Sequence, residues 1–185
     1  MRNLKLSALV LTTALFTACS SDDDATIVNE EEVITTVQVK LTPTEGGIPI
    51  TLTSRDLDGD GPDAPVVAVS GPVMAGASYS GEVAFLNEMA NPAEDITEEV
   101  AAEGEEHQVF YQQNALGTIT YTDEDSNGNP IGISFNYTAG TAATGTLTVT
   151  LRHEPNKDAG GVADGMITNA GGSTDAEVVF SVVVE

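Results

Sequence analysis

Apolar and polar residues alternate with a period of two along most of the chain, the pattern of a half-buried β-strand. Val33, Thr35, Val37, Val39 and Leu41 alternate with Ile34, Thr36, Gln38 and Lys40, and Ile50 and Leu52 with Thr51 and Thr53. Val66 to Val69 forms a short β-branched run between Pro65 and Gly71. Val83 and Phe85, Val109 and Tyr111 (blurred by Phe110), and Ile119 and Tyr121 continue the pattern. The cleanest stripe is Ile131, Ile133, Phe135 and Tyr137; Leu147, Val149 and Leu151 follow. Val178, Phe180, Val182 and Val184 close the chain, and their neighbours Val179 and Val183 predict burial on both faces. Eight or nine short strands separated by Gly, Pro and Asn-Gly signals predict an all-β fold, an antiparallel immunoglobulin-like β-sandwich.

One segment breaks the period. Asn91-Pro92-Ala93-Glu94-Asp95-Ile96 reads as a helix start, with Asn91 as N-cap, Pro92 in the first helical position and acids in the first turn. Ala93, Ile96 and Val100 share one face and Gly104 ends the helix. The Gly-rich stretch from Asp158 to Thr174 lacks a Lys-Ser/Thr ending and is expected to be a flexible loop, not a phosphate cradle.

The N-terminus does not belong to the strand pattern. Arg2 and Lys5 precede an apolar run, Leu6 to Leu11 and Ala14 to Phe16, that is too short to span a bilayer. It ends in Leu15-Phe16-Thr17-Ala18-Cys19, which resembles the lipobox of bacterial lipoproteins, with Phe16 where that pattern usually has Leu. The resemblance implies cleavage before Cys19 and lipidation of its thiol, a membrane anchor that two or more acyl chains make stable. Ser20-Ser21-Asp22-Asp23-Asp24 and Glu30-Glu31-Glu32 follow, a self-repelling solvated tether. This acidic stretch resembles the export signal of Bacteroidota lipoproteins. It implies an outer-membrane protein exposed at the cell surface, with the periplasmic face as the alternative. The domains read as a signal peptide over 1–18, an acidic tether over 19–32 and a β-sandwich over 33–185.

Charge narrows the function. The 185 residues hold 29 acids against 6 bases, a net charge of -23, and cleavage removes two of those bases. Such a surface repels polyanions, which excludes sequence-independent nucleic-acid binding, and attracts cations. A single cysteine excludes a disulfide framework, an iron–sulfur cluster and a multi-cysteine zinc site.

Two loops carry calcium-like spacing. Asp56, Asp58, Asp60 and Asp63 place carboxylates at positions one, three, five and eight around Gly59 and Gly61. Asp123, Asp125 and Asn127 repeat the one-three-five spacing before Gly128. That spacing opens an EF-hand-type loop and makes Ca²⁺ the candidate cofactor. Position twelve holds Val67 or Ser134 in place of the bidentate Glu, so weak binding is expected, and the second loop reads equally as an Asn-Gly hairpin turn. By parity His107 lies on the face of Val109 and Tyr111, and His153 on that of Leu147, Val149 and Leu151. Both stand at strand ends and can meet at one rim, with Glu106 or Glu154 beside them. A set of His107, His153 and Glu154 suits a transition metal. No nucleophile, base and orienting group fall into a catalytic spacing, and a lipidated cysteine cannot attack a substrate, so no enzymatic activity is expected.

Glu105-Glu106-His107-Gln108-Val109-Phe110-Tyr111, the run from Tyr121 to Pro130, and Leu151-Arg152-His153-Glu154-Pro155-Asn156-Lys157 together resemble a family of small flavobacterial lipoproteins. That family often carries the label "type 1 periplasmic binding fold superfamily protein". The label denotes two α/β lobes, whereas the strand pattern predicts a sandwich. The resemblance extends over nearly the whole mature chain and implies company with an outer-membrane transporter. The expected function is a non-catalytic binding module, accessory to nutrient or metal-ion uptake; the alternative is a structural or adhesive surface module. Metabolic labelling with radioactive palmitate is expected to mark the wild-type chain and to fail with Cys19→Ala; label retained on that variant would contradict the anchor.

Overall fold

The computed structural model describes residues 32–59 and 61–185; the signal peptide expected over 1–18, Cys19, the expected tether through residue 31 and Asp60 lie outside the described residues. In chain order the elements are β1 (Thr36–Pro43), β2 (Ile50–Arg55), β3 (Val66–Val69), β4 (Ser78–Asn87), β5 (Glu94–Asp95), α1 (Ile96–Ala102), β6 (His107–Gln113), β7 (Gly117–Tyr121), β8 (Ser134–Ala139), β9 (Ala143–His153) and β10 (Ser173–Val184). They form two antiparallel sheets. The larger runs β3-β2-β1-β4-β8-β7, with β5 paired to β4, and the smaller runs β10-β9-β6. The fold is all-β and sandwich-like, as the alternation predicts, and it is not the two-lobed α/β architecture that the family label denotes.

The stripes explain why the sheets stack. On β1, Val37, Val39 and Leu41 face inward opposite Phe85, Val83 and Gly81 of β4. On β9, Leu147, Val149 and Leu151 oppose Phe180, Val178 and Ala176 of β10. One buried cluster joins Val39, Leu52, Phe85 and Phe135 of the larger sheet to Val109, Leu151 and Phe180 of the smaller. Each fully buried Phe there contributes about 1.5–3 kcal/mol. All four tyrosines spend their hydroxyls inside the fold: Tyr111 donates to Gly132 O, Tyr121 to Val109 O and Tyr137 to Leu116 O, and Tyr79 accepts from Met74 N.

Several expectations are corrected. Val179 and Val183 are 52 % and 43 % exposed, so β10 alternates like its neighbours and is not buried on both faces. The second face that is covered belongs to β6. Phe110 is buried against Val162 and Ala170, and Gln108 Nε2 donates to Val162 O at 2.9 Å. The Gly-rich segment is therefore a packed cover over the smaller sheet rather than a loose loop, which is why Phe110 blurs the alternation.

The Ile131–Tyr137 stripe is only half a strand. Ile131 O accepts from Val109 N in the smaller sheet and Ile133 O from Val83 N in the larger, so the chain crosses between sheets at Gly132. Gly132 has φ +90°, and a Cβ there would lie 2.7 Å from Val109 O. The helix starts later than Asn91 and Pro92 suggest, because Glu94 and Asp95 first pair with Asn87 and Leu86 of β4. Asp95 is the true cap, its carboxylate accepting from Thr97 N, and Ala93 is exposed. Ile96 and Val100 are buried as expected. Among the described residues no helix is long and apolar enough to cross a membrane.

Behind the start of β6 sits a buried ion pair. Lys157 Nζ donates to Asp125 Oδ2 at 2.8 Å, to Pro130 O at 3.0 Å and to Gly104 O. Asp125 Oδ1 accepts the amides of Asn127 and Asn129. Burial works to raise the Asp125 pKa, but Lys157 and these two amides outweigh it and hold the carboxyl below its ordinary range. The node pins the helix exit, the 123–130 loop and the sheet cover together. Breaking one partner of such a pair strands the other charge at a cost of about 3–5 kcal/mol. Urea unfolding of Lys157→Met should show a loss of that size at pH 7, partly recovered in Lys157→Met/Asp125→Asn. A loss below about 1 kcal/mol would show that the pair contributes no more than a surface bridge.

Candidate functional site

His107 opens β6 and His153 ends β9, and the strand register sets them directly opposite each other. Their rings stack with centroids 4.8 Å apart and planes 12° from parallel. His107 is 2 % exposed and His153 9 %. Both end up inside the rim because each continues an inward stripe, Val109 and Tyr111 on β6 and Val149 and Leu151 on β9. The Nδ1 of His107 faces Glu103 O at 3.2 Å. With Nδ1–H donating to that carbonyl, Nε2 carries the lone pair and is turned toward carboxylates. Burial pushes the His107 pKa below its ordinary value; the Glu103 carbonyl opposes this and His153 adds to it. The shift favours the neutral ring, the form that binds metals.

A β-bulge supplies the third group. The β10–β9 register runs Ser173↔His153 and Thr174↔Arg152, then resumes at Ala176↔Leu151, leaving Asp175 as the extra residue. A bulge re-aims a side chain, and here Asp175 Oδ2 lies 3.8 Å from His107 Nε2. Gly172 makes the approach possible: it has φ +69°, and a Cβ would stand 2.2 Å from His153 O.

Glu32 supplies the fourth. Its Oε1 is 3.6 Å from His107 Nε2, and its side chain is 12 % exposed. Its Oε2 is buried and has no hydrogen-bond partner among the described residues. Burial, followed by the carboxylates of Glu99, Asp175 and Glu103, pushes the Glu32 pKa up to about 7, against a lowering from His153. Ligating atoms of His107, His153 and Asp175 lie within 4.8 Å of one another, as do those of Glu32, Glu103 and His107. Glu106 borders the site, its Oε2 being 3.7 Å from His153 Nε2.

The sequence-predicted ligands divide. His107 and His153 come together as parity implies. Glu154 does not join them: it is exposed, has φ 50°, and its N–H donates to Glu106 O at the turn beyond β9. In the second calcium-like loop the candidate ligands make contacts within the protein. Asp123 accepts from Gly132 N and Ser134 N. Asp125 is held by the Lys157 ammonium, and Asn127 serves through its backbone amide. In the first loop Asp56 Oδ1 accepts from Asp58 N and Gly59 N, and Asp58 Oδ2 from Asp63 N. Among the described residues Asp56, Asp58 and Asp63 form no converging ligand group, and Asp60 lies outside them. Glu32, Glu103 and Asp175 were not legible as site residues. The one pointer to Asp175 is the Gly171-Gly172 pair just before β10.

Comparison with known proteins finds no matching family model, no matching curated protein and no matching solved structure.

The raised Glu32 pKa has a stability consequence. The folded chain holds that proton more tightly than the unfolded chain, so stability falls as pH rises from 4.5 to about 7. His107 acts in the opposite sense, losing stability as pH falls below 6.5. The difference between wild type and Glu32→Gln isolates the first effect. In chelator-treated protein Glu32→Gln should gain roughly 2–3 kcal/mol in urea melts at pH 8 and little at pH 4. Equal differences at both pH values would contradict a buried, ionising Glu32.

Proposed function

We propose that the chain is a lipid-anchored, extracytoplasmic binding module without catalytic activity, which captures a cation at the rim where the chain enters the domain. The observation that carries this reading is the concentration of acid around His107 and His153, with Glu32 and Asp175 largely buried and Glu103 and Glu106 exposed at its edge. Glu32, Asp175, Glu103 and Glu106 all present ligating oxygens there. Lys157, Lys40 and Arg55 are engaged elsewhere, with Asp125, Glu82 and Glu88, and Arg152, next to His153, donates to Thr174 Oγ1. So much negative charge gathered beside a low-dielectric core is stabilised when a positive ligand approaches it.

The lipobox and the acidic tether support an outer-membrane location, and company with an outer-membrane transporter follows from the resemblance to flavobacterial lipoproteins. In that setting the module concentrates a cationic nutrient or metal ion for uptake. The structural or adhesive alternative needs no such gathering of acids and histidines.

Capture is tested by thermal melts of the full chain in detergent, stripped with chelator and titrated separately with Ca²⁺, Mn²⁺, Zn²⁺ and spermidine. At least one is expected to stabilise the fold by about 2.7 kcal/mol at a hundredfold excess over its Kd. No shift with any of the four would overturn cation capture.

A further inference from the structure

We infer that the rim is a transition-metal site that binds one divalent ion through His107 Nε2, a ring nitrogen of His153, Asp175 and Glu32; this rests on the cation-capture reading and names the cation's class. Donor chemistry decides the class. Two imidazoles with two carboxylates suit zinc and its first-row neighbours, whereas Ca²⁺ prefers a shell of six to eight oxygens.

Spacing around His107, the member that both ligand groups share, agrees with that chemistry. Tetrahedral zinc with bonds of about 2.0–2.1 Å holds neighbouring ligand atoms about 3.4 Å apart. His107 Nε2 stands 3.6 Å from Glu32 Oε1 and 3.8 Å from Asp175 Oδ2. These gaps are too long for hydrogen bonds and within a few tenths of an ångström of the metal-imposed distance. The carbonyl of Glu103 fixes the His107 tautomer from behind, the role that outer groups play around metal-bound histidine.

The ligands come from four separate places: the start of β6, the end of β9, the bulge of β10 and the segment ahead of β1. Glu32 is the last residue of the acidic tether as read from sequence. Its buried Oε2 has no hydrogen-bond partner among the described residues. An ion here therefore fastens the root of the tether to three strands of the smaller sheet. Glu154, one residue beyond His153, takes no part.

The test uses the full chain in detergent, with Zn²⁺ affinity measured by chelator competition and Co²⁺ as a spectroscopic substitute. One equivalent of Zn²⁺ is expected, and Co²⁺ should show the intense visible bands of four-coordinate geometry. His153→Ala and Asp175→Asn should each weaken Zn²⁺ binding more than about tenfold. Glu32→Gln should weaken it and change the Co²⁺ spectrum, while Glu154→Gln changes neither. Asp175→Asn and Glu32→Gln are near-isosteric, so they keep the test decisive if His153→Ala fails to fold. Zn²⁺ affinity unmoved by both of these variants would overturn the site. Binding of Ca²⁺ or spermidine without Zn²⁺ would overturn it too, yet leave cation capture standing; no binding of any cation would end both.

Discussion

The register of β6 on β9 is the constraint on which the rest depends. Pairing Val109 with Leu151 and Tyr111 with Val149 buries both stripes and leaves His107 facing His153 at the rim. A slip by one residue would turn Phe110 and Gln108 into the core and both histidines away from each other. The slip is blocked twice. Val109 and Leu151 are fully buried on the inner face, and Phe110 and Gln108 are fully buried on the other face beneath the segment containing Val162 and Ala170. The same packing that stabilises the sandwich therefore sets the geometry of the histidine pair.

Around that pair the chain departs from regularity in ways that each bring a group inward. The bulge at Asp175 interrupts an otherwise continuous β10–β9 ladder, and Gly172 passes within a Cβ's width of His153 O. The helix exit brings the Glu103 carbonyl to His107, and it is held in place where Lys157 reaches Gly104 O. Burial, and after it the carboxylates of Glu99, Asp175 and Glu103, lift the Glu32 pKa to about 7. Local irregularity and unfavourable charge concentrate at the place where a ligand would relieve both.

The sandwich was largely legible because period-two alternation reports directly on which side of a strand is buried. It misled where a second layer covers the sheet, as over Phe110, and where a stripe crosses between sheets, as at Ile131 and Ile133. The helix start was misplaced because local capping signals at Asn91 and Pro92 say nothing of the pairing of Glu94 and Asp95 with β4. At the site, parity was enough to bring the histidines together. Asp175 was hidden because a bulge shifts register by one residue without altering composition. Glu32 was hidden because it precedes the first stripe and reads as tether. Asp125 looked like a calcium ligand because its partner, Lys157, lies 32 residues away in sequence.

The most direct test of the proposed metal site is anomalous X-ray scattering at the zinc absorption edge, from crystals of the chain grown with one equivalent of Zn²⁺. A single strong peak bounded by His107, His153, Asp175 and Glu32 is the predicted result. A peak elsewhere, above all at Asp56, Asp58 and Asp63, or none, would contradict the account.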